Sequence, residues 1–373
     1  MTTKTLLLLL TLLLQGCIFS DKTAPSRHRI WFKEPAAIWE ATLPLGNGKT
    51  GMMPDGKVVH ETIVLNDITL WSGGVQDPDN PEAAQYLPEI RKLLFEGKND
   101  LAQELIFKTF VCKGKGSGFG RGANVPYGSF EVLGNLHLWF DLDTAAKPEN
   151  YTRTLNLDNA EADCSFSLEG VNYSREYFVS YTDKVAVIRL KANKKGKINV
   201  SVGLDRPEKF TTLVEGNLLK MAGQLENGTD GKGMQYQALV SVQTKGGKVI
   251  PENNQLRIDG ANEAILFIAT GTDFKNPDFP VSVNKQLKIA SSKSFKELKK
   301  SHIAEYQKYF NRVNLNLTLN PEREKLTTPE RLVAFAQDPD YYGLADLYFQ
   351  YGRYLLLSSA HAQVLPPNLQ GLW

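Results

Sequence analysis

The chain of 373 residues holds only three cysteines and five histidines, which leaves no material for a disulfide-built scaffold. His28, His60, His137, His302 and His361 lie far apart, with no His-Glu-x-x-His pair and no cysteine cluster beside them. No metal and no cofactor is expected. Charge of one sign is also missing: 43 Lys and Arg stand against 41 Asp and Glu, a net charge of +2, so nucleic acid has no electrostatic footing here. Past the first residues there is no apolar run long enough for a transmembrane helix, and no internal repeat.

Familiar catalytic signatures are absent as well. Gly48-Lys49-Thr50 would need a glycine at position 43 to be a phosphate loop, and that residue is Leu43. Gly114, Gly116, Gly118, Gly120 and Gly122 alternate without the dinucleotide-binding spacing, and no Gly-x-Ser-x-Gly elbow occurs. Spacing singles out no acid and base pair among the 41 carboxylates.

What is there begins with a leader. Lys4, the leucine-rich stretch Leu6 to Leu14 and the segment Leu14-Gln15-Gly16-Cys17 read as a lipoprotein-type signal peptide over residues 1–17, with Cys17 as the lipidated residue. Ser20 to Arg29 is polar with one proline, and residues 18–29 suit a tether. These features predict export, to the periplasm or to the outer-membrane or cell surface, with membrane contact only through the anchor.

From Ile30 onward short apolar segments cut by Gly, Pro, Asn and Asp predict strands, and the signal is densest from Leu133 to Thr270. Ala264 to Ile268 is apolar on both faces, as a strand in the middle of a packed sheet should be. Asn80 to Phe110 breaks the pattern with helical spacing, which Pro88 and Gly97 are expected to split. After Ser291 the period becomes helical: Ser294-x-x-Glu297 is a capping box ahead of the stripe Phe295, Leu298, His302, Tyr306, Phe310 and Val313. A strand-like piece, Leu315 to Leu319, follows. Thr328-Pro329 opens another helix, and Leu344, Leu347, Tyr348, Tyr351 and Leu355 stripe a longer one from Tyr342 to about Ala360. The fold class is therefore multidomain, β then α: a large N-terminal β-sandwich over 30–290, a helical linker over 291–325, and further helices over 326–373.

Three segments rich in Trp, Gly and Asn remain: Pro44 to Gly48, Leu65 to Gly74, and Pro366 to Trp373. Indole faces beside amide side chains suit a sugar, and Trp71, Asn368, Gln370 and Trp373 are the candidate contacts. No residue stands out as catalytic.

In this order the segments resemble glycoside hydrolase family 95, known for α-L-fucosidases. Trp31 with Pro35-Ala36 and Trp39, Leu43 to Gly48, Leu65 to Gly73, Asn80 to Ala83, Gly134-Asn135-Leu136, Tyr151 to Leu157, Tyr173 to Phe178, Tyr306 to Val313, Phe349 to Leu355 and Asn368 to Trp373 carry the likeness. Asp67-Ile68 stands where the family has an acidic pair, and Met52 to Gly56 is less apolar than its counterpart. The resemblance implies the β-sandwich, the linker and an incomplete (α/α)6 barrel, cut at its opening helices, with a fucosylated oligosaccharide or polysaccharide as substrate. It also implies that the family's Glu acid, and the Asp that works with paired Asn residues, lie beyond Trp373. The isolated chain is then expected to be inactive, with the separately encoded remainder of the barrel as a partner. The alternative is a non-catalytic surface lipoprotein that binds glycans or acts as a scaffold.

Overall fold

The computed structural model describes residues 27–75, 79–111, 128–317, 319–338, 341–360, 365–367 and 371–373. In chain order its first strands are β1 (Arg29–Phe32), β2 (Leu45–Gly46), β3 (Thr50–Pro54), β4 (His60–Asp67), β5 (Gly134–Phe140), β6 (Glu149–Asn156), β7 (Glu161–Leu168) and β8 (Val171–Val179). They continue as β9 (Ala186–Ala192), β10 (Ile198–Asp205), β11 (Thr211–Glu215), β12 (Leu218–Gln224), β13 (Gln235–Lys245), β14 (Lys248–Glu252), β15 (Gln255–Ala261) and β16 (Glu263–Thr272). A nine-stranded sheet runs β1-β6-β7-β8-β9-β16-β13-β12-β11, and a seven-stranded sheet runs β14-β15-β10-β5-β4-β3-β2. The pairings are antiparallel throughout the named strands.

Alternation makes the sandwich. In β7 Ala162, Cys164, Phe166 and Leu168 are buried while the residues between them are part-exposed, and β5 alternates the same way through Leu136, Leu138 and Phe140. These inward rows meet in one large core. A buried polar knot sits inside it: Glu61 accepts from Arg175 Nη1 at 2.8 Å and from the Tyr177 hydroxyl at 2.8 Å. Cys164 is a free thiol in the same core, its pKa pushed up to about 12 by burial. Cys112 and Cys17 lie outside the described residues.

Among the described residues six α-helices accompany the sheets: α1 (Leu87–Phe95), α2 (Asn99–Thr109), α3 (Phe279–Ser291), α4 (Phe295–Phe310), α5 (Thr328–Gln337) and α6 (Tyr342–Ala360). α3 explains the apolar run in β16. Phe279, Val283, Leu287 and Ala290 lie on Phe267, Ala269, Leu239 and Val187, forming a second core on the outer face of the nine-stranded sheet. Helix therefore begins at Phe279, before the change of period at Ser291. Gly97, with φ of +73°, breaks α1 from α2 as expected, whereas Pro88 sits in the first turn of α1, where a missing N–H costs nothing, and does not split it. Leu315 to Leu317 form no strand; they pass as irregular chain.

α4 follows its predicted stripe, with Phe295, Leu298, His302, Tyr306 and Phe310 buried, although Val313 is half-exposed beyond its end. Tyr306 donates to Leu157 O at 2.7 Å and His302 Nε2 lies 3.1 Å from Ala160 O, so the helix clamps the β6–β7 turn. α6 packs beside α4, with Arg353 Nη2 donating to Phe310 O at 2.7 Å, and is tied to the sandwich as well. The Tyr354 hydroxyl donates to Pro44 O at 2.5 Å, and Gly48 N donates to Ser358 O at 2.7 Å.

Candidate functional site

Pro44 to Gly48, the start of Leu65 to Gly74 and the chain's last residues do meet, but as a packing seam. Asn66 Nδ2 donates to Leu372 O at 2.9 Å, Leu372 is buried, and the Trp373 ring lies on Gly46, where a Cβ would come within 2.6 Å of it. Asn47 is spent in the same way: its amide donates to Ser180 O, and its Oδ1 accepts from Lys49 N and Thr50 N to close the β2–β3 turn. Asn368 and Gln370 lie outside the described residues.

Trp71 is placed elsewhere, on a cleft of about 640 Å³. Asp67 shapes the approach to it: its Oδ1 accepts from Thr69 N and Thr69 Oγ1 at 3.1 and 2.7 Å, turning the chain after β4 so that Trp71 bridges to Phe130. The indole N–H is used within the turn, donating to Ile68 O at 3.2 Å, and the ring meets Phe130 edge-on. Ser72, Gly73 and Gly74 continue that wall.

The opposite wall is the loop after β12. Asn227 Oδ1 accepts from the N–H groups of Thr229, Asp230 and Gly231 at 3.0 to 3.1 Å, which coils the loop, and Gly73 N ties the two walls together by donating to Glu226 O. Thr229 and Lys232 reach the cleft from this loop. Asp273 and Phe274 close the third side from the end of β16, with Asp273 Oδ1 accepting from Gln235 N at 3.1 Å. Trp373 is not among the described residues lining the cleft.

Electrostatics beside the cleft are set by burial and pairing. Asp67 is fully buried, which alone would raise its pKa, but the Lys49 ammonium at 2.5 Å and the Thr69 and Thr270 hydroxyls outweigh that and hold it below the usual carboxylate range. Glu131, behind Ser72 and Ser129, goes the other way: burial raises it more than those hydroxyls and Arg206 lower it. Phe274 also borders a smaller cavity of about 180 Å³ that reaches Lys49, Thr270 and Asn276.

Within the described lining, Asp273 is the one carboxylate and Lys232 the one ammonium. Two aromatic rings, two hydroxyls and this pair can hold a polyhydroxylated ring by stacking and hydrogen bonds. An inverting glycosidase needs two carboxyl groups about 6.5 to 9.5 Å apart across a water, and these residues offer one. Among the described residues no group of three or more His, Cys, Asp or Glu gathers as a metal site. Sequence reasoning found Trp71 but missed Asn227, Thr229, Lys232, Asp273 and Phe274. Their only local signal is the turn-rich stretch Asn227 to Gly233, which marks a loop and says nothing of what it faces.

A second cavity, of about 500 Å³, is apolar and lies between β1, the Leu43-Pro44 block, α5 and α6, with Phe32, Leu155, Leu332, Phe335, Leu347 and Tyr348 in its walls.

The fold is a two-sheet antiparallel sandwich joined to helices, with an aromatic-walled cleft beside it. The model described as glycosyl hydrolase family 65, N-terminal domain, matches residues 30–277, and that of the glycosyl hydrolase family 95 catalytic domain matches residues 294–373. The chain belongs to the glycosyl hydrolases: most of its length is the family 65 type N-terminal domain, and it continues into a stretch that matches the family 95 catalytic domain. It is 29% identical to alpha-L-fucosidase 2 of Arabidopsis thaliana, over 92% of this chain and 43% of that protein. It is 30% identical to a protein named probable alpha-fucosidase A from Aspergillus niger, over 92% of this chain and 44% of that one. The chain thus spans less than half the length of these relatives. A human-microbiome protein assigned as a kojibiose phosphorylase shares the fold, with a TM-score of 0.52 and 10% identity over 89% of this chain and 42% of that one.

Proposed function

We propose that the chain serves α-L-fucoside recognition: it holds a fucosylated oligosaccharide or polysaccharide in the Trp71 cleft, and it does not cleave the glycan by itself. The observation that carries this is the match to α-L-fucosidases along 92% of the chain, taken with a cleft whose described lining holds aromatic rings and hydroxyl-binding groups but a single carboxylate. Hydrolysis then depends on an acid and a base from the (α/α)6 barrel of the family, of which α5 and α6 are the opening helices. The test is titration of the folded chain with α-linked fucosyl oligosaccharides. Trp71→Ala should weaken binding about tenfold, the scale of one lost aromatic contact. Affinity unchanged in Trp71→Ala, or no affinity in the unaltered chain, would remove the cleft from the account.

A second reading rests on a separate observation. α5 and α6 leave Leu332, Tyr348 and Leu356 at 57%, 79% and 60% exposure beside the apolar cavity, a face that further barrel helices would cover or that a scaffold would offer to a partner. Export and anchoring at Cys17 complete the proposal. Mass spectrometry of the mature N-terminus should find a lipidated Cys17, and Cys17→Ser should release the protein from membranes.

A further inference from the structure

One side chain borders two cavities. Phe274, 40% exposed, stands in the wall of the Trp71 cleft and in the wall of the smaller cavity of about 180 Å³. The two segments at the boundary each supply a residue to either side: Trp71 to the cleft and Thr69 to the smaller cavity, Asp273 to the cleft and Thr272 to the smaller cavity. The Thr69 and Thr272 hydroxyls, 2.6 Å apart, tie these segments together. Phe274 is held in place, because Asp273 is hydrogen-bonded to Gln235 through both its N–H and its carboxylate, at 3.1 Å each, and Phe274 N donates to Thr272 Oγ1 at 3.4 Å. The ring is a fixed divider between adjoining compartments.

The smaller cavity offers what a second sugar ring needs: an apolar wall, a donor and an acceptor. Phe279 and Val283 of α3 are the apolar wall. Lys49 is the donor. Of the three N–H groups of its ammonium, one goes to Asp67 Oδ2 and one to Thr270 O at 2.9 Å, while the third has only Thr270 Oγ1, at 3.5 Å. The side chain keeps 22% of its surface exposed, so that third N–H can meet a ligand oxygen. Gln286 is the acceptor: its side-chain N–H donates to Lys184 O, which leaves its carbonyl oxygen for a hydroxyl. Lys275 adds an exposed ammonium at the rim, 5.4 Å from the centre of the Phe274 ring.

We propose that the smaller cavity is a subsite for the sugar to which the fucose is attached. The inference rests on the reading of the Trp71 cleft as the fucoside site. With fucose there, the glycosidic bond crosses Phe274 and the next ring enters against Phe279 and Val283, its hydroxyls accepting from Lys49 and donating to Gln286. The ligand is then an α-L-fucosyl disaccharide unit or a longer glycan, and the chain tells glycans apart by the sugar that bears the fucose. The Lys49 and Asp67 pair thereby serves both compartments: Asp67 turns the chain toward Trp71, and Lys49 reaches the second ring.

The test is calorimetric titration of the purified full chain with methyl α-L-fucoside and with 2′-fucosyllactose. The oligosaccharide should bind about tenfold more tightly, the scale of one hydrogen bond to a charged group. Ser282, exposed in α3 and part of the cavity wall, gives the blocking variant: Ser282→Phe fills the space and should bring the two affinities together, with circular dichroism unchanged. Gln286→Trp, from the next turn of α3, should do the same and guards against a fault peculiar to the first variant. Equal affinities for the two ligands in the unaltered chain, or a difference that both variants leave intact, would overturn the subsite while the cleft reading stands. Binding of neither ligand would remove the fucoside reading and the subsite with it.

Discussion

Of the four residues read in the sequence as sugar contacts, Trp71 lines a cleft, Trp373 packs on Gly46, and Asn368 and Gln370 lie outside the described residues. Gly46, Asn47 and Asn66, from the same segments, hold the fold, because a glycine that admits an indole and an amide that closes a turn look the same in a sequence as a glycine and an amide poised for sugar. Gly46→Ala would set a methyl 2.6 Å from the Trp373 ring and 2.8 Å from Ser358 O, and should cost about 1 to 3 kcal/mol of stability in urea unfolding. A second residue-scale prediction concerns His302, whose pKa is pushed down to about 4, chiefly by burial, from 6.5. Between those values the unfolded chain takes up a proton that the folded chain refuses. Stability from this group is therefore full above pH 6.5 and is lost as pH falls to about 4, a difference of about 3 kcal/mol. Asp163, raised to about 6 by burial and then by Glu176, acts in the opposite direction between about pH 4 and 6. It is common to both proteins when the unaltered chain is compared with His302→Gln. The variant should lose less stability between pH 6.5 and 4 than the unaltered chain, by up to about 3 kcal/mol, as read from urea midpoints; equal losses would remove His302 from the acid sensitivity.

At the scale of elements, local chemistry was most legible where it is strongest. The capping box read at Ser294 and Glu297 is present ahead of α4, and α5 opens at Thr328-Pro329 as expected, with a second box, Thr327 with Glu330, that the sequence reading did not name. Ser294→Ala should cost about 1 kcal/mol, measured by thermal unfolding, and should loosen α4 from the β6–β7 turn that Tyr306 and His302 hold. α3 was not legible, because its buried residues answer to the outer face of β16, a partner distant from much of the surface it covers, and Asp278 contributes no side-chain cap to announce its start. The cleft was legible only in its Trp71 wall. Its other walls come from loops about 155 to 200 residues further along the chain, brought beside Trp71 by the β12-β13-β16 order of the nine-stranded sheet. Spacing within one segment cannot report that kind of juxtaposition.

For the molecule as a whole, two unlike surfaces stand out: the cleft lined by Trp71, and the apolar side chains that α5 and α6 present beside a cavity of about 500 Å³. The relatives it matches are more than twice as long, and their names give the α-L-fucosidase reading its direction. Recognition without cleavage is the central claim, and the most direct test of it is fucose release from a panel of α-linked fucosyl oligosaccharides by the purified chain. A full-length family 95 α-L-fucosidase serves as the positive control, and circular dichroism shows that the chain is folded. The account predicts no release above buffer from folded chain under conditions where the control liberates fucose. Release well above buffer would contradict it, and would mean that an acid and a base stand among residues in which the described cleft offers one carboxylate, Asp273.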